Sequence, residues 1–116
     1  MNRYPLIDFA VSPLDVVRIG FVGLGARGLA AIERYTHIEG TRIAAICDLD
    51  PEAVSKVSFN LDYSRGVSEY SGPDAWKRLC ENPSLDLVYI CTDWRSHAEI
   101  AQYAMEKGRH VAIEVP

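Results

Sequence analysis

The sequence has no long apolar run and no excess of basic residues. No uninterrupted apolar stretch approaches the roughly 20 residues that cross a bilayer, and residues 1–15 break their short apolar run with Asp8 and two prolines. We therefore expect neither a signal peptide nor a membrane anchor. The formal net charge of -4 comes without the basic stripe that binds phosphate backbones, so we expect no nucleic-acid partner.

Cysteine is scarce. The chain has three cysteines, Cys47, Cys80 and Cys91, an odd number without the spacing of a metal site. Cys47 and Cys91 lie in apolar runs that predict buried strands. We therefore interpret the cysteines as reduced packing residues of a cytoplasmic protein, and we expect no metal site and no redox role.

What the chain does have is the composition of one globular domain and a regular alternation of strand and helix patterns. It has 116 residues, of which 48% are hydrophobic and 24% charged. Residues 1–15 follow neither period and predict a leading arm. The predicted strands are VVRIGFVGLG, TRIAAICD, a weak segment from Val67 to Tyr70, LDLVYICT and HVAIEV, and the predicted helices are ARGLAAIERYTHIEG, DPEAVSKVSFNLD, PDAWKRLCEN and WRSHAEIAQYAMEKG.

Strands that alternate with helices indicate an α/β fold, here a Rossmann-type, doubly wound parallel sheet over residues 16–116. Asp50 and Pro51 suit the cap and first position of the second helix, and Pro73 suits the start of the third. In such a sheet the carboxyl ends of all strands meet at one edge. We expect the functional residues to lie at that edge.

A glycine-rich turn follows the first predicted strand. Gly23, Gly25 and Gly28 form G-x-G-x-x-G directly before a helix. The first glycine allows a tight turn, the second lets the backbone approach a pyrophosphate, and the third lets the helix pack near the strand. Free N–H groups at the helix start then face the phosphates. Methyltransferases and purely structural bends also use such turns, so the strand-turn-helix context carries the prediction of dinucleotide binding.

An aspartate accompanies this turn. Asp48 ends the second predicted strand 20 residues after Gly28, where a carboxylate can accept hydrogen bonds from the adenosine ribose. A carboxylate would repel a 2′-phosphate, and no arginine follows in LDPEA to receive one, so we predict NAD rather than NADP. The alternative is that Asp48 is only a turn residue, although Asp50 is better placed to cap the next helix.

The motifs GFVGLGARG, AAICD and LDLVYICTDWRSHAEIAQYAMEKGRHVAIEVP occur in this order. From Val17 to Pro116 the chain thus resembles the N-terminal domain of the glucose-fructose oxidoreductase, inositol dehydrogenase and MocA family. That family typically shows T-P-x-x-x-H, G-K-H-V and E-K-P, where this sequence has TDWRSH, GRHV and EVP. Val115 stands at the position of the lysine that belongs to the catalytic group of the family's dehydrogenases, and valine cannot transfer a proton.

The combination of W-x-x-H and E-V is more similar to the NAD-dependent glycosidases of glycoside hydrolase family 109, whose known activity is on α-N-acetylgalactosaminides. That resemblance implies transient oxidation of a sugar hydroxyl, elimination and reduction, without a catalytic carboxylate pair. It leaves the catalytic residues unknown. It also implies NAD contacts from Arg27, Gly28, Asp48, Trp94, Arg95, Ser96, His97, Glu114 and Val115.

Several of these residues have a structural alternative. Trp94 could be a hydrophobic staple at a helix start, and His97 could be a structural histidine of a first helical turn. We interpret His37 and His110 as structural.

The family resemblance also implies a C-terminal α/β substrate domain, and we expect this chain to be truncated before it and inactive alone. Three functions stay open for the protein: an NAD-dependent glycosidase, an NAD-dependent sugar or polyol dehydrogenase, and a non-catalytic NAD-binding module. The first two imply a small sugar or glycoside as second ligand. The sequence is also compatible with a homo-oligomer and does not decide the oligomeric state.

Overall fold

The computed structural model describes residues 10–61 and 66–115. Strands and helices alternate along these residues, and all the strands run parallel in one sheet of order β3-β2-β1-β4-β5. The prediction of a Rossmann-type sheet is confirmed. The elements are β1 (Val17–Val22), α1 (Ala26–Tyr35), β2 (Thr41–Asp48), α2 (Pro51–Asn60), β3 (Ser68–Ser71), α3 (Ala75–Cys80), β4 (Leu87–Ile90), α4 (Trp94–Glu106) and β5 (His110–Ile113).

The strand order reverses at β1. From β1 the chain moves outward through β2 and β3, then returns to place β4 and β5 on the other side. Val22 at the end of β1 is in register with Cys47 of β2 and with Ile90 of β4. A crevice at the carboxyl ends of the strands is expected at this reversal, because the chain leaves β1 and β4 in opposite directions.

The core lies on both faces of the sheet. On one face Phe21 of β1 packs with side chains of α1 and α2, and its ring stacks on Tyr89 with the centroids 5.3 Å apart. On the other face Val88 and Ile90 pack with side chains of α3 and α4. This two-sided burial explains why the strands have near-continuous apolar sequences instead of alternating ones.

Two helix boundaries differ from the sequence prediction. Helix α1 ends at Tyr35 and not near Gly40, because the Thr36 hydroxyl donates to the Glu33 carbonyl (2.6 Å), and Gly40 has a φ of 80°. Helix α3 begins at Ala75 instead of Pro73, since Pro73 lies in the turn that follows β3.

The cap of α2 is as predicted. The Asp50 carboxylate accepts a hydrogen bond from the Glu52 N–H at 3.0 Å, and Pro51 is the first helical residue. The predicted end of this helix at Asp62 lies outside the described residues, as does Pro116.

Of the predicted arm, residues 1–9 lie outside the described residues, and residues 10–15 form neither helix nor strand. Among the helices that the structure describes, none combines the length and the apolar character needed to cross a membrane.

Candidate functional site

A cavity of about 440 Å³ opens at the carboxyl ends of the strands. Its walls are the turns that follow the first four strands, as expected from the strand order. Its polar residues include Asp48, Thr92, Asp93 and Ser96. The remaining lining residues are glycines and apolar side chains: Val22, Gly23, Gly25, Cys47, Leu49, Gly72, Pro73, Trp76, Cys91 and Ile100.

Each glycine of the turn after β1 meets a different requirement. Gly23 has a φ of 98°, and a Cβ there would lie 2.8 Å from the Cys91 carbonyl oxygen. A Cβ on Gly28 would lie 1.9 Å from the carbonyl oxygen of Gly23. A Cβ on Gly25 would meet nothing within 4 Å, because this residue borders the cavity. Two glycines are therefore needed by the fold, and Gly25 leaves space for a ligand.

Helix α1 begins directly after Gly25, which is its N-cap and provides no side-chain hydrogen bond. The first turn of the helix contains Arg27 and no acidic residue. The first N–H groups of a helix have no partner within the helix, and the helix dipole favours an anion beside them. The turn and the helix start therefore fit the pyrophosphate of a dinucleotide.

Asp48 lies at the edge of the cavity and is partly buried. One carboxylate oxygen accepts from the Leu24 N–H at 2.7 Å, and the other accepts from the Asp50 N–H at 2.9 Å. Each oxygen can accept a further hydrogen bond, so the carboxylate can also receive ribose hydroxyls. Asp48 thus fixes the middle of the glycine turn. From the sequence, a turn role and ribose binding were alternatives, and the geometry allows both.

The turn between β4 and α4 forms the opposite wall. The Ser96 hydroxyl donates to the Thr92 hydroxyl at 2.8 Å, and both residues line the cavity. His97 is buried, with Nε2 placed 2.8 Å from the Thr92 carbonyl oxygen. Trp94 and Arg95 are exposed. None of these last three residues lines the cavity.

Glu114 follows β5 and is held away from the cavity. Its carboxylate accepts a hydrogen bond from the Tyr89 hydroxyl at 2.8 Å and lies 3.6 Å from the Arg34 guanidinium. Burial and this hydrogen bond raise the pKa of Tyr89 to about 12. Val115 is exposed. The structure therefore brings four of the predicted NAD contacts together around the cavity, namely Gly23, Gly25, Asp48 and Ser96.

Several lining residues were missed by the sequence analysis. Gly72 and Pro73 directly follow β3, so the rule that strand ends meet at one edge could have identified them. Trp76 and Ile100 carry no such signal, since they are single apolar residues on helix faces. They give the cavity an apolar wall beside its polar rim.

Two of the cysteines, Cys47 and Cys91, line the cavity. Burial, with a smaller contribution from Asp48, raises the pKa of Cys47 to about 12. Burial, with a smaller contribution from Glu114, raises the pKa of Cys91 to about 12. The described residues include no cluster of three or more His, Cys, Asp or Glu side chains suited to a metal ion.

The sheet is parallel, and a glycine turn follows its central strand and leads into a helix start without a side-chain cap. The second strand ends in an aspartate. These features define a dinucleotide-binding Rossmann domain. Residues 17–116 match the sequence profile of the oxidoreductase family with an NAD-binding Rossmann fold, which is named after glucose-fructose oxidoreductase, inositol dehydrogenase and MocA. The chain belongs to this family. It is an NAD-binding domain, and the predicted fold and cofactor are confirmed.

Similar proteins include glycosidases and dehydrogenases. The chain is 53% identical over 114 residues to glycosyl hydrolase family 109 protein 1 of Bacteroides fragilis. The match covers 96% of this chain and 25% of that protein. It is 45% identical over 114 residues to an α-N-acetylgalactosaminidase of Bacteroides fragilis, with 96% and 27% covered. The chain spans about a quarter of the length of these curated relatives.

A solved structure of myo-inositol dehydrogenase from Lactobacillus casei, in complex with NAD(H) and myo-inositol, superimposes with a TM-score of 0.76. The two sequences are 25% identical, and the match covers 87% of this chain and 29% of that one. The resemblance to the family, and within it to the glycosidases of family 109, is confirmed by these comparisons.

The Asp48 carboxylate predicts a cofactor preference. We expect NAD to bind at least about tenfold more tightly than NADP, because the carboxylate at the cavity edge repels a 2′-phosphate. In Asp48→Asn the preference should shrink, since the charge is lost. The amide oxygen keeps only one of the two backbone hydrogen bonds, so the ratio of the two affinities, and not either affinity alone, reports the effect of the charge. Calorimetric titration of both cofactors measures the ratio. Asp50→Asn is the matched control: it removes the neighbouring charge, keeps a good helix cap and should leave the ratio unchanged. Equal affinities in the wild type would contradict the assignment.

Proposed function

We propose that this chain is the NAD-binding part of an NAD-dependent glycosidase that acts on α-N-acetylgalactosaminides. Residues 16–116 form the NAD-binding domain, residues 1–15 form a leading arm, and a further domain holds the sugar. The observation that carries the proposal is the similarity to family 109 proteins, one of them an α-N-acetylgalactosaminidase. The proposal extends that relative's named activity to the protein that contains this chain.

The residues of the cavity have defined tasks in this proposal. The turn at Gly25 and the start of α1 hold the pyrophosphate, and Asp48 accepts the ribose hydroxyls. Thr92 and Ser96 form the facing wall. Bound NAD would supply a hydride acceptor and donor for the sugar.

The residues after β5 support a reaction in which this segment transfers no proton. Val115 stands where dehydrogenases of the family have a lysine, and its side chain neither donates nor accepts a proton. The adjacent Glu114 carboxylate is bound to Tyr89 and Arg34. Proton transfer to and from the sugar is therefore not assigned to Glu114 or Val115.

An NAD-dependent sugar or polyol dehydrogenase is the second candidate. The observation in its favour is the superposition on myo-inositol dehydrogenase with NAD(H) and myo-inositol bound. Both candidates use the same cofactor cavity, so cofactor binding does not separate them. The fate of the hydride separates the two candidates, because a glycosidase returns it to the sugar and a dehydrogenase leaves it on the cofactor.

The test uses the protein that contains this chain, with p-nitrophenyl N-acetyl-α-galactosaminide as substrate. We expect release of p-nitrophenol that depends on added NAD, without accumulation of NADH, because the hydride returns to the same sugar. A dehydrogenase would instead accumulate NADH in step with oxidised sugar and leave the glycoside intact, and that result would overturn the proposal. Gly25→Val, which blocks the cofactor space, is the control that excludes a contaminating glycosidase.

The cysteines support a reducing compartment as part of the proposal. Cys47, Cys80 and Cys91 are all free, and free thiols persist where the redox poise keeps them reduced. We therefore place the protein in the cytoplasm, and fractionation of cells that express it natively would test this placement.

A further inference from the structure

His97 is the polar side chain of the buried core in the described part of the chain. It is the fourth residue of α4 and is 9% exposed. Its Nε2 lies 2.8 Å from the carbonyl oxygen of Thr92. A carbonyl oxygen only accepts, so Nε2 carries the proton and donates it. The ring is thereby held by a hydrogen bond to the backbone of the preceding turn.

Thr92 connects this hydrogen bond to the cofactor cavity. It lines the cavity, and its hydroxyl accepts a second hydrogen bond, from Ser96 at 2.8 Å. Its backbone also abuts the glycine turn, because a Cβ on Gly23 would lie 3.0 Å from the Thr92 nitrogen. The preceding residue, Cys91, donates its N–H to the Val22 carbonyl at 2.8 Å. The position of Thr92 therefore affects both walls of the cavity.

We infer that His97 is a positioning residue of the NAD site that acts through the Thr92 carbonyl. Held by His97 and by Ser96, Thr92 fixes the β4–α4 turn against the glycine turn and keeps the facing wall of the cavity in place. His97 itself does not line the cavity. The inference rests on NAD binding in this cavity, and it replaces the direct NAD contact that the sequence resemblance implies for this residue.

Variants of the full chain test this role by calorimetric NAD titration. His97→Leu keeps a side chain of similar size without the donor, and we expect it to weaken NAD binding about tenfold. His97→Gln restores an N–H donor at similar reach and should recover most of the affinity. Unchanged affinity in His97→Leu would overturn the inference, as would a glutamine variant that binds no better than the leucine variant.

Ala104→Gly is the matched structural control. Ala104 is buried on α4 two turns further along, and glycine there destabilises the same helix without touching Thr92. We expect its melting temperature to fall and its NAD affinity, measured where the variant is folded, to equal that of the wild type. An equal loss of affinity in Ala104→Gly and His97→Leu would mean that helix stability alone explains the weaker NAD binding, and it would overturn the positioning role.

A measurement on the wild type does not depend on the folding of any variant. In ¹⁵N NMR spectra of the imidazole we expect the proton of His97 on Nε2, both in the free protein and with NAD bound. A ring in the free protein whose Nε2 carries no proton, or a ring that leaves Thr92 when NAD binds, would overturn the inference. Failure of the wild type to bind NAD would instead reject the cofactor site, so the two failures are distinguishable.

Discussion

Replacing Gly25 with valine is expected to abolish measurable NAD binding and to leave the fold nearly as stable as before. A Cβ at this position meets no atom of the protein within 4 Å, and the backbone φ of -74° is ordinary for any residue. The added side chain would fill the space beside the start of α1 that a pyrophosphate needs. We expect at least about a 100-fold loss of affinity, or roughly 2.7 kcal/mol.

Thermal unfolding and calorimetry on the same sample measure the two effects. The cost to stability should be about 1 kcal/mol, because the only folded-state change is a less favourable helix N-cap. Gly25→Ala is the graded control, with a smaller side chain and a smaller loss of affinity. NAD binding at wild-type strength by the valine variant would show that the pyrophosphate does not approach this turn.

Replacing Gly28 with alanine should have the opposite balance, with a large loss of stability. Alanine is a better helix former than glycine by about 1 kcal/mol, which alone would stabilise α1. The new Cβ, however, would lie 1.9 Å from the carbonyl oxygen of Gly23, a distance that only a backbone shift can relieve. We expect a net loss of about 3 kcal/mol or more.

Denaturant unfolding followed by circular dichroism measures this loss. Gly72→Ala is an informative control: a Cβ there meets nothing within 4 Å, but Gly72 has a φ of 105°, so its cost comes from backbone conformation alone and should be smaller. A Gly28→Ala variant as stable as the wild type would mean that α1 can move away from β1 freely.

The fold could be predicted because the local patterns and the global topology agree. Strands buried on both faces are apolar nearly throughout, and helices between them leave right-handed crossovers as the favoured connection. Even the short β3 (Ser68–Ser71) was recognisable next to the turn that follows it. The pattern of β3 was weak, whereas the patterns of the other strands and helices were strong enough to identify each element.

The helix ends could not be predicted as well. A glycine at position 40 resembles a helix stop, yet the helix ends five residues earlier where Thr36 bonds back to Glu33. Whether the chain continues the helix or forms a side-chain hydrogen bond that ends it depends on free-energy differences of a few tenths of a kcal/mol to about 1 kcal/mol. Hydrophobic periodicity does not resolve differences of that size.

At the site, the sequence identified the task of residues whose role depends on the backbone, but not the contacts of residues whose role depends on tertiary structure. The glycines and Asp48 follow from the geometry of strand ends, which every sheet of this type shares. The hydrogen bond from His97 to Thr92 and the binding of Glu114 by Tyr89 and Arg34 join residues whose pairing no spacing rule specifies. Motif resemblance names such residues without saying what they touch.

The two thiols in the cavity are poor nucleophiles. Burial raises the pKa of both Cys47 and Cys91 to about 12, so the neutral thiol predominates at neutral pH. Only the thiolate attacks electrophiles or reacts readily with peroxide. The cavity of a redox cofactor is thus lined with two thiols whose burial slows their oxidation and alkylation.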